Sequence, residues 1–327
     1  MQHHVVLGGA GFVGSHLVDA LLRQGNSVTV VDNLSTGKLQ NLAHLTDRSD
    51  FNFICADICD GLPDVSSVDV VYNLASPASP AAYERMPLET LRVGAIGTLN
   101  SLEFARRLDA TYFLASTSEV YGDPLVSPQS EDYWGNVNPI GPRSVYDEAK
   151  RFAEAAVVAS ARTHAVDVRI ARLFNTYGPR MRLNDGRVLP AFIGQALRGE
   201  DLTIFGDGSQ TRSFCFVDDL IEGIHRLLMS DYTQPMNIGN PDEITIKQFC
   251  EEIIKLTGTK QKIVYRELPQ DDPKQRRPDI NKAKMILNWS PKVDRAEGLK
   301  ITYEYFKSLP ESDLAKIAHK DFTIYNR

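Results

Sequence analysis

No block of lysines or arginines and no basic helix occurs in the 327 residues, and the formal net charge is −6. A surface of that sign repels a phosphate backbone, which argues against a nucleic-acid partner. The chain does not open on a basic stretch followed by a long apolar run. Neither a membrane anchor nor a cleaved signal is therefore expected. Cysteines number only four (Cys55, Cys59, Cys215 and Cys250), which fits a reducing compartment, and the protein is expected to be cytoplasmic. Cys55 and Cys59 have a spacing that a metal site can use, but no second cysteine pair or histidine cluster follows. Structural thiols and no metal are the expectation. Repeats and low-complexity segments are also absent. What remains is the ordinary make-up of a globular enzyme, 43% hydrophobic and 24% charged, long enough for one large or two unequal domains.

The first positive signal lies at the start. His4, Val5, Val6 and Leu7 form a short strand-like run that breaks into a turn containing Gly8, Gly11 and Gly14. Leu17, Ala20, Leu21 and Leu22 then recur at helical spacing, and a second apolar run, 27–32, ends on Asp32. Strand, glycine turn, helix, strand and acid, with the acid about twenty residues on, is the first half of a dinucleotide-binding fold. The glycines let the backbone and the helix N-terminus approach a pyrophosphate. Asp32 accepts hydrogen bonds from ribose hydroxyls and repels a 2′-phosphate, so NAD is favoured over NADP. Phe12, Val13, Asn33, Thr36 and Gly37 count among the expected cofactor contacts beside these residues.

Strands and helices keep alternating, which predicts an α/β protein with a doubly wound parallel (Rossmann) sheet. The run 51–54 leads to Asp57 and Ile58, at a strand end suited to the adenine amino group. The buried run 69–75 ends at Leu74 and Ala75, where a small side chain permits close approach of the cofactor. A Pro-rich loop containing Ser79 follows, and then a long helix over about 87–108. The strand 111–115 delivers Ser116, Thr117, Ser118 and Glu119 at its carboxyl end, where open α/β sheets bind ligands. Turn and capping chemistry is the plain alternative for these four. After a helix over about 144–163 and a strand over 166–173, Pro and Gly become frequent. The expected division is an NAD-binding domain over 1–176, rejoined by about 213–237, and a smaller C-terminal α/β substrate domain over 177–212 and 238–327.

Tyr146 and Lys150 stand four residues apart, on one face of a helix. A phenol has an ordinary pKa near ~10, and a neighbouring ammonium favours the phenolate, so the spacing predicts that Lys150 lowers Tyr146 into a usable base. Most such pairs are ordinary helix surface; the NAD turn upstream and Thr117 give this one its meaning. Together they predict hydride transfer at a secondary alcohol, with Tyr146 taking the hydroxyl proton, Thr117 bonding the same hydroxyl and Lys150 holding the nicotinamide ribose. Glu119 is a further acid or base two residues past Thr117, suggesting a second step after oxidation; its plain alternative is an exposed or structural carboxylate. Arg212, Arg276 and Arg277 offer guanidiniums for a pyrophosphate.

The G-x-x-G-x-x-G spacing resembles the extended branch of the short-chain dehydrogenase/reductase superfamily, which usually carries Thr where Leu7 stands. More specifically, the stretches 116–124, 74–80, 131–135, 138–143, 146–148, 175–181, 184–188, 208–212, 271–273 and 277–280 are similar to the UDP-glucuronate decarboxylases, or UDP-xylose synthases. These motifs cover the chain from its start to about residue 306. The resemblance implies three steps at one site: NAD oxidises C4 of UDP-glucuronate, the β-keto acid loses carbon dioxide, and the 4-keto pentose is protonated at C5 and reduced to UDP-xylose. It implies roles for Ser118, Glu119 and Arg276 in decarboxylation. Ser79, Arg92, Asn175, Val188, Phe205 and Arg212 would contact the nucleotide sugar, and Ser116, Thr176 and Arg187 the cofactor. It also implies a homodimer, the helices at about 87–108 and at Tyr146 forming a four-helix interface.

Val93 and Gly94 stand where the family usually has Thr-Asn, so a hydrogen bond near the cofactor or substrate is expected to be lost. The competing enzyme readings are a nucleotide-sugar 4,6-dehydratase, which carries Asp where Ser118 stands; a 4-epimerase, which usually lacks the Glu; and a decarboxylase that releases the 4-keto pentose with NADH. A silent NAD-sensing or scaffolding protein is the alternative from another class, and the intact Tyr146 and Lys150 argue against it.

Overall fold

Buried parallel strands read as continuous apolar runs, because both of their faces meet helices. β1 (His3–Leu7), β2 (Ser27–Asp32), β4 (Val70–Asn73), β5 (Thr111–Thr117) and β6 (Val168–Leu173) are of this kind, while β3 (Phe51–Cys55) is a part-exposed edge strand. The computed structural model describes residues 1–269 and 272–315. Four short strands, β7 (Thr176–Tyr177), β8 (Leu202–Phe205), β9 (Thr211–Ser213) and β10 (Cys215–Phe216), lie outside the main sheet, and β11 (Pro235–Ile238) returns to it. The sheet has seven strands in the order β11-β6-β5-β4-β1-β2-β3, all parallel. This is the doubly wound parallel sheet that the alternation predicts. The chain winds outward from β1 to β3, then crosses to β4 and winds the other way. The reversal opens a crevice at the carboxyl ends of β1 and β4, where such sheets bind ligands.

Successive side chains point to opposite faces of a strand. Val6, Tyr72 and Phe113 face α1 (Phe12–Arg23) and α7 (Val217–Leu228). Their neighbours Val5, Leu7, Val71, Tyr112 and Leu114 face the opposite layer. That layer holds α4 (Thr98–Arg107) and α5 (Ser144–His164). The helix expected over 87–108 is not one uniform element. α2 (Pro80–Arg85) and α3 (Pro87–Arg92) precede a π-helical turn at Val93–Gly97, from which α4 continues. Gly94 in that turn lies against α5: a Cβ there would come 2.5 Å from the Cβ of Ala149. The glycine at 94 thus serves close packing on the turn of α5 between Tyr146 and Lys150.

The C-terminal elements make small sheets of their own. β8 pairs with β13 (Ile263–Arg266), and β9 lies between β12 (Glu243–Thr245) and β14 (Gln275–Arg276). α6 (Val188–Arg198), α8 (Ile246–Thr257), α10 (Arg295–Lys307) and α11 (Glu311–Ala315) pack around them. α8 starts with a reciprocal cap in which the Thr245 hydroxyl accepts from the Gln248 amide and the Gln248 side chain accepts from that of Thr245. α9 (Asn281–Leu287) instead packs on α7 and β11. Phe192, Phe249 and Ile253 of the C-terminal part share one apolar core with the α1 and α7 face of the sheet. Asp271 and residues 316–327 lie outside the described residues.

Candidate active site

The glycine turn after β1 needs glycine for two separate reasons. Gly8 has φ +78°, and a Cβ on it would stand 2.8 Å from the backbone of Leu74 and Ala75 after β4. A Cβ on Gly14 would strike the Gly8 carbonyl, so α1 lies close under the turn. The turn closes on backbone alone, Gly8 N–H donating to Val31 O at 2.9 Å and Gly11 N–H to Gly8 O at 3.2 Å. Leu7, where a supporting Thr was expected, is buried in the apolar core. Asp32 is also buried and accepts from Ala10 N–H (3.0 Å) and Leu34 N–H (2.8 Å). Burial raises its pKa, and these hydrogen bonds oppose the shift. Gly37 lies against that carboxylate instead of lining the cleft. Asn33 donates to Asp57 (3.1 Å), which also accepts from Cys59 N–H (2.8 Å). A glycine cradle with an oriented acid at the next strand end fits a dinucleotide.

A cleft of about 510 Å³ runs from this turn to the C-terminal elements. Apart from Gly37, every cofactor and sugar contact expected from the sequence lines it, Phe12, Val13, Thr36, Ile58 and Ser116 included. Arg277 does not; its guanidinium turns to the Pro241 carbonyl at 3.2 Å.

On α5, Tyr146 and Lys150 are both buried. The Tyr146 hydroxyl lies beside Thr117, which favours its ionised form, and its ring stacks on Tyr83 with centroids 5.3 Å apart and planes 6° off parallel. Lys150 Nζ donates to Ala115 O at 2.9 Å and lies 5.8 Å from the centre of the Tyr146 ring. The expected lowering of Tyr146 is not what this site shows. Burial pushes the phenol well above its ordinary value, outweighing the pull of Thr117, and Glu119 adds to the rise. The reason is in the lysine: burial also works against its charge, drawing it down to about 8, and it spends a hydrogen bond on a carbonyl.

The residues after β5 form an ionic cluster. Thr117 caps the short turn Ser118–Tyr121 by accepting from Glu119 N–H at 3.2 Å. Glu119 meets Arg143 Nη2 at 2.8 Å and Arg276 Nη1 at 2.6 Å. Burial alone would raise its pKa, but the two guanidiniums prevail and hold it at about 2. In this state Glu119 only accepts hydrogen bonds, which narrows its expected acid-or-base role. Arg276, on β14, also donates to Ser118 Oγ (3.2 Å) and Gly122 O (3.1 Å). Its register partner on β9 is Arg212, which donates to Asp272 at 2.8 Å.

The remaining contacts are spread along the wall. Ser79 precedes α2 and Val188 opens α6. The Thr176 hydroxyl donates to Phe174 O at 2.8 Å, and Arg187 forks onto Asp185. Asn175 and Phe205 line the cleft with them. Arg92 reaches the rim, paired with Asp60 at 2.7 Å. Sequence reasoning missed Arg143, Tyr83, Asp272 and Arg182, all in the wall. Arg143 did carry a signal, since it lies one helical turn before Tyr146.

A family model described as GDP-mannose 4,6 dehydratase matches residues 5–302. UDP-glucuronic acid decarboxylase 1 of Xenopus tropicalis is 52% identical over 303 residues, covering 93% of this chain and 72% of that protein. UDP-glucuronic acid decarboxylase 6 of Arabidopsis thaliana is 51% identical over 304 residues, covering 93% and 88%. The chain belongs to the UDP-glucuronic acid decarboxylase family. The chain shares its architecture with solved 4-epimerases. The UDP-glucuronic acid 4-epimerase of Bacillus cereus, in complex with UDP-glucuronic acid and NAD, superposes with a TM-score of 0.85 at 31% identity, covering 94% of this chain and all (100%) of that one. The UDP-glucose 4-epimerase of Thermotoga maritima, with UDP-glucose, gives 0.85 at 32%, covering 93% and 98%.

Proposed function

We propose that this chain is an NAD-dependent carboxy-lyase that converts UDP-glucuronate to UDP-xylose through a 4-keto intermediate. One observation carries the reading: an oxidising group of Tyr146, Lys150 and Thr117 shares its cleft with a second, ionic group of Ser118, Glu119 and Arg276. A simple alcohol dehydrogenase has no use for the second.

NAD would be held by Gly8, Gly11, Phe12, Val13, Asp32, Asn33, Thr36, Asp57, Ile58, Leu74, Ala75, Ser116, Thr176 and Arg187, with Gly37 packed behind Asp32; when bound it supplies the acceptor and later the donor of one hydride at C4. The chain's own residues move the protons. Thr117 fixes the C4 hydroxyl, Tyr146 takes its proton and later returns one, and the Lys150 ammonium holds the nicotinamide ribose. The 4-ketone is β to the carboxylate, so loss of carbon dioxide leaves an enolate stabilised by that ketone. Arg276, Ser118 and Glu119 surround the carboxylate end, and Arg212, with Ser79, Arg92, Asn175, Val188 and Phe205, takes the UDP. The acceptor-only state of Glu119 suits it to orient a water that protonates C5.

In this reading the NAD-binding unit is 1–176 with about 213–237, and the nucleotide-sugar unit is 177–212 and 238–327, α9 docking back onto the first. The protein acts as a cytoplasmic homodimer; supporting this are four unpaired cysteines and exposed Leu88, Leu91, Ile96, Leu99 and Phe152 on α3, the π turn, α4 and α5. A monomeric mass by light scattering at micromolar protein would overturn the dimer. The activity is tested by incubating purified protein with UDP-glucuronate and NAD. Carbon dioxide and UDP-xylose without net NADH are expected. Stoichiometric NADH with a 4-keto product would assign the releasing variant, and no carbon dioxide would refute decarboxylation.

A further inference from the structure

Each oxygen of Glu119 is held by a different arginine. Oε1 faces Arg276 at 2.6 Å and Oε2 faces Arg143 at 2.8 Å. Arg276 is fixed independently, on Ser118 Oγ and Gly122 O. Arg143, just before α5 and largely buried, is oriented from the opposite side by Asp272, whose Oδ1 lies 3.6 Å from its Nη1. Asp272 in turn anchors Arg212 through Oδ2. A chain of alternating charge, Arg212, Asp272, Arg143, Glu119 and Arg276, thus crosses the cleft wall, with three cations to two anions.

Without Arg143, Arg276 is the one guanidinium left in direct contact with Glu119 among the described residues. Arg276 attracts it from β14, with Arg212 behind on β9 and Arg187 beside α6. Asp147 on α5 faces it, but burial first and then Glu119 itself push that carboxyl up to about 8, so it is largely neutral at pH 7. Asp272 beyond Arg143 and any phenolate formed at Tyr146 oppose it. Burial is the largest single effect and disfavours the ionised form. One guanidinium against that burial is expected to leave a carboxylate that titrates in the range where carboxylic acids act as acids; two hold it below that range.

We propose that Arg143 is a positioning residue for the decarboxylating half of the site, holding one oxygen of Glu119 ionised and aimed while Arg276 holds the other. The functional side of this rests on the decarboxylase reading; the electrostatic side does not. Carbon-13 NMR of protein labelled at glutamate carboxyls, with the Glu119→Gln difference spectrum for assignment, reads the Glu119 carboxyl directly. It is expected to stay ionised down to about pH 4 in the wild type, and in Arg143→Met to titrate between about pH 5 and 7. Arg143→Lys keeps a cation and is expected to fall between the two, and it serves where Arg143→Met does not fold.

In turnover, Arg143→Met is expected to lose about tenfold in kcat for carbon dioxide release at pH 7, with KM nearly unchanged. It should gain an acid limb that the wild type lacks. In a Glu119→Gln background the same change should cost less than about twofold and show no new limb. An unchanged Glu119 titration in Arg143→Met overturns the proposal, and so does a loss that is fully additive with Glu119→Gln. A wild type that releases no carbon dioxide refutes the decarboxylase reading, while the NMR titration still decides whether Arg143 holds Glu119.

Discussion

Tyr146 and Lys150 make no ion pair among the described residues, whereas Glu119 sits between two guanidiniums. Glu154, one turn beyond Lys150, is taken by Ser116 and by a bidentate pair with Arg172. Both halves of the cleft are buried, so solvation does not separate them. The difference lies in compensation. Lys150 has only the Ala115 carbonyl and the pull of Glu154 against its burial and falls to about 8, near the working range of a group that supports proton transfer. Glu119 is over-compensated and falls to about 2, far from it. In the proposed cycle, the half-site that exchanges a proton is built from weakly compensated groups, and the one that keeps a fixed charge from ion pairs. The same burial serves both ends.

The sharpest way to break this comparison is Tyr146→Phe. The variant keeps the ring stacked on Tyr83 and removes only the hydroxyl, so NAD binding by calorimetry should change by less than about twofold. C4 oxidation, followed at the nicotinamide absorbance in a single turnover, should fall by about 10²- to 10⁴-fold. Retention of the full rate would mean that the proton leaves by another group and that the weakly compensated half has been misassigned.

A smaller effect is expected from Gly94→Ala. The new methyl would lie 2.5 Å from the Cβ of Ala149, so the turn of α5 carrying Tyr146 and Lys150 must shift. A displacement of some tenths of an ångström should cost about tenfold in kcat. Ala149→Gly removes the opposing methyl but leaves its Cα at 3.0 Å and its carbonyl oxygen at 3.1 Å from the new Cβ, so the double variant should recover part of the rate. Thermal melts of the double variant near those of the wild type, without recovered turnover, would show that the contact stabilises α5 but does not set the catalytic geometry.

The legible parts of this site are those fixed by spacing within one element. Gly8, Gly11 and Gly14 belong to one turn, Tyr146 and Lys150 to one helical face, and Thr117 to Glu119 to one strand end, and each fell where its spacing predicts. The parallel sheet was legible for a related reason, since buried strands carry apolar runs. What was not legible depends on contacts across the chain. Arg143 meets Glu119 over 24 residues, and Arg276 meets Ser118 over 158; no local period encodes either. The direction of the Tyr146 shift reversed because burial is a tertiary property. The close approach of Gly94 to Ala149 has no local signal, and the π turn that carries it has no counterpart in the helical pattern.

The weakly compensated half should also carry a cost in stability, and its sign follows from Lys150. Its pKa lies at about 8 in the folded protein against an ordinary 10.5. Between these values the unfolded chain binds the proton more readily, so the stability contributed by this site rises with pH across that window and is lowest below pH 8. The gap corresponds to about 3 kcal/mol of cost at pH 7. Lys150→Met removes that cost but strands the Ala115 carbonyl that Nζ now satisfies, a loss of about 1–3 kcal/mol. At pH 7 the first effect wins, and Lys150→Met should melt about 1–3 °C above the wild type while losing turnover. At pH 10 most of the protonation cost has gone from the wild type, the stranded carbonyl decides, and the order of melting temperatures should invert. A variant less stable than the wild type at both pH values would mean that Lys150 is well compensated after all, and the contrast with Glu119 would fail at its weaker end.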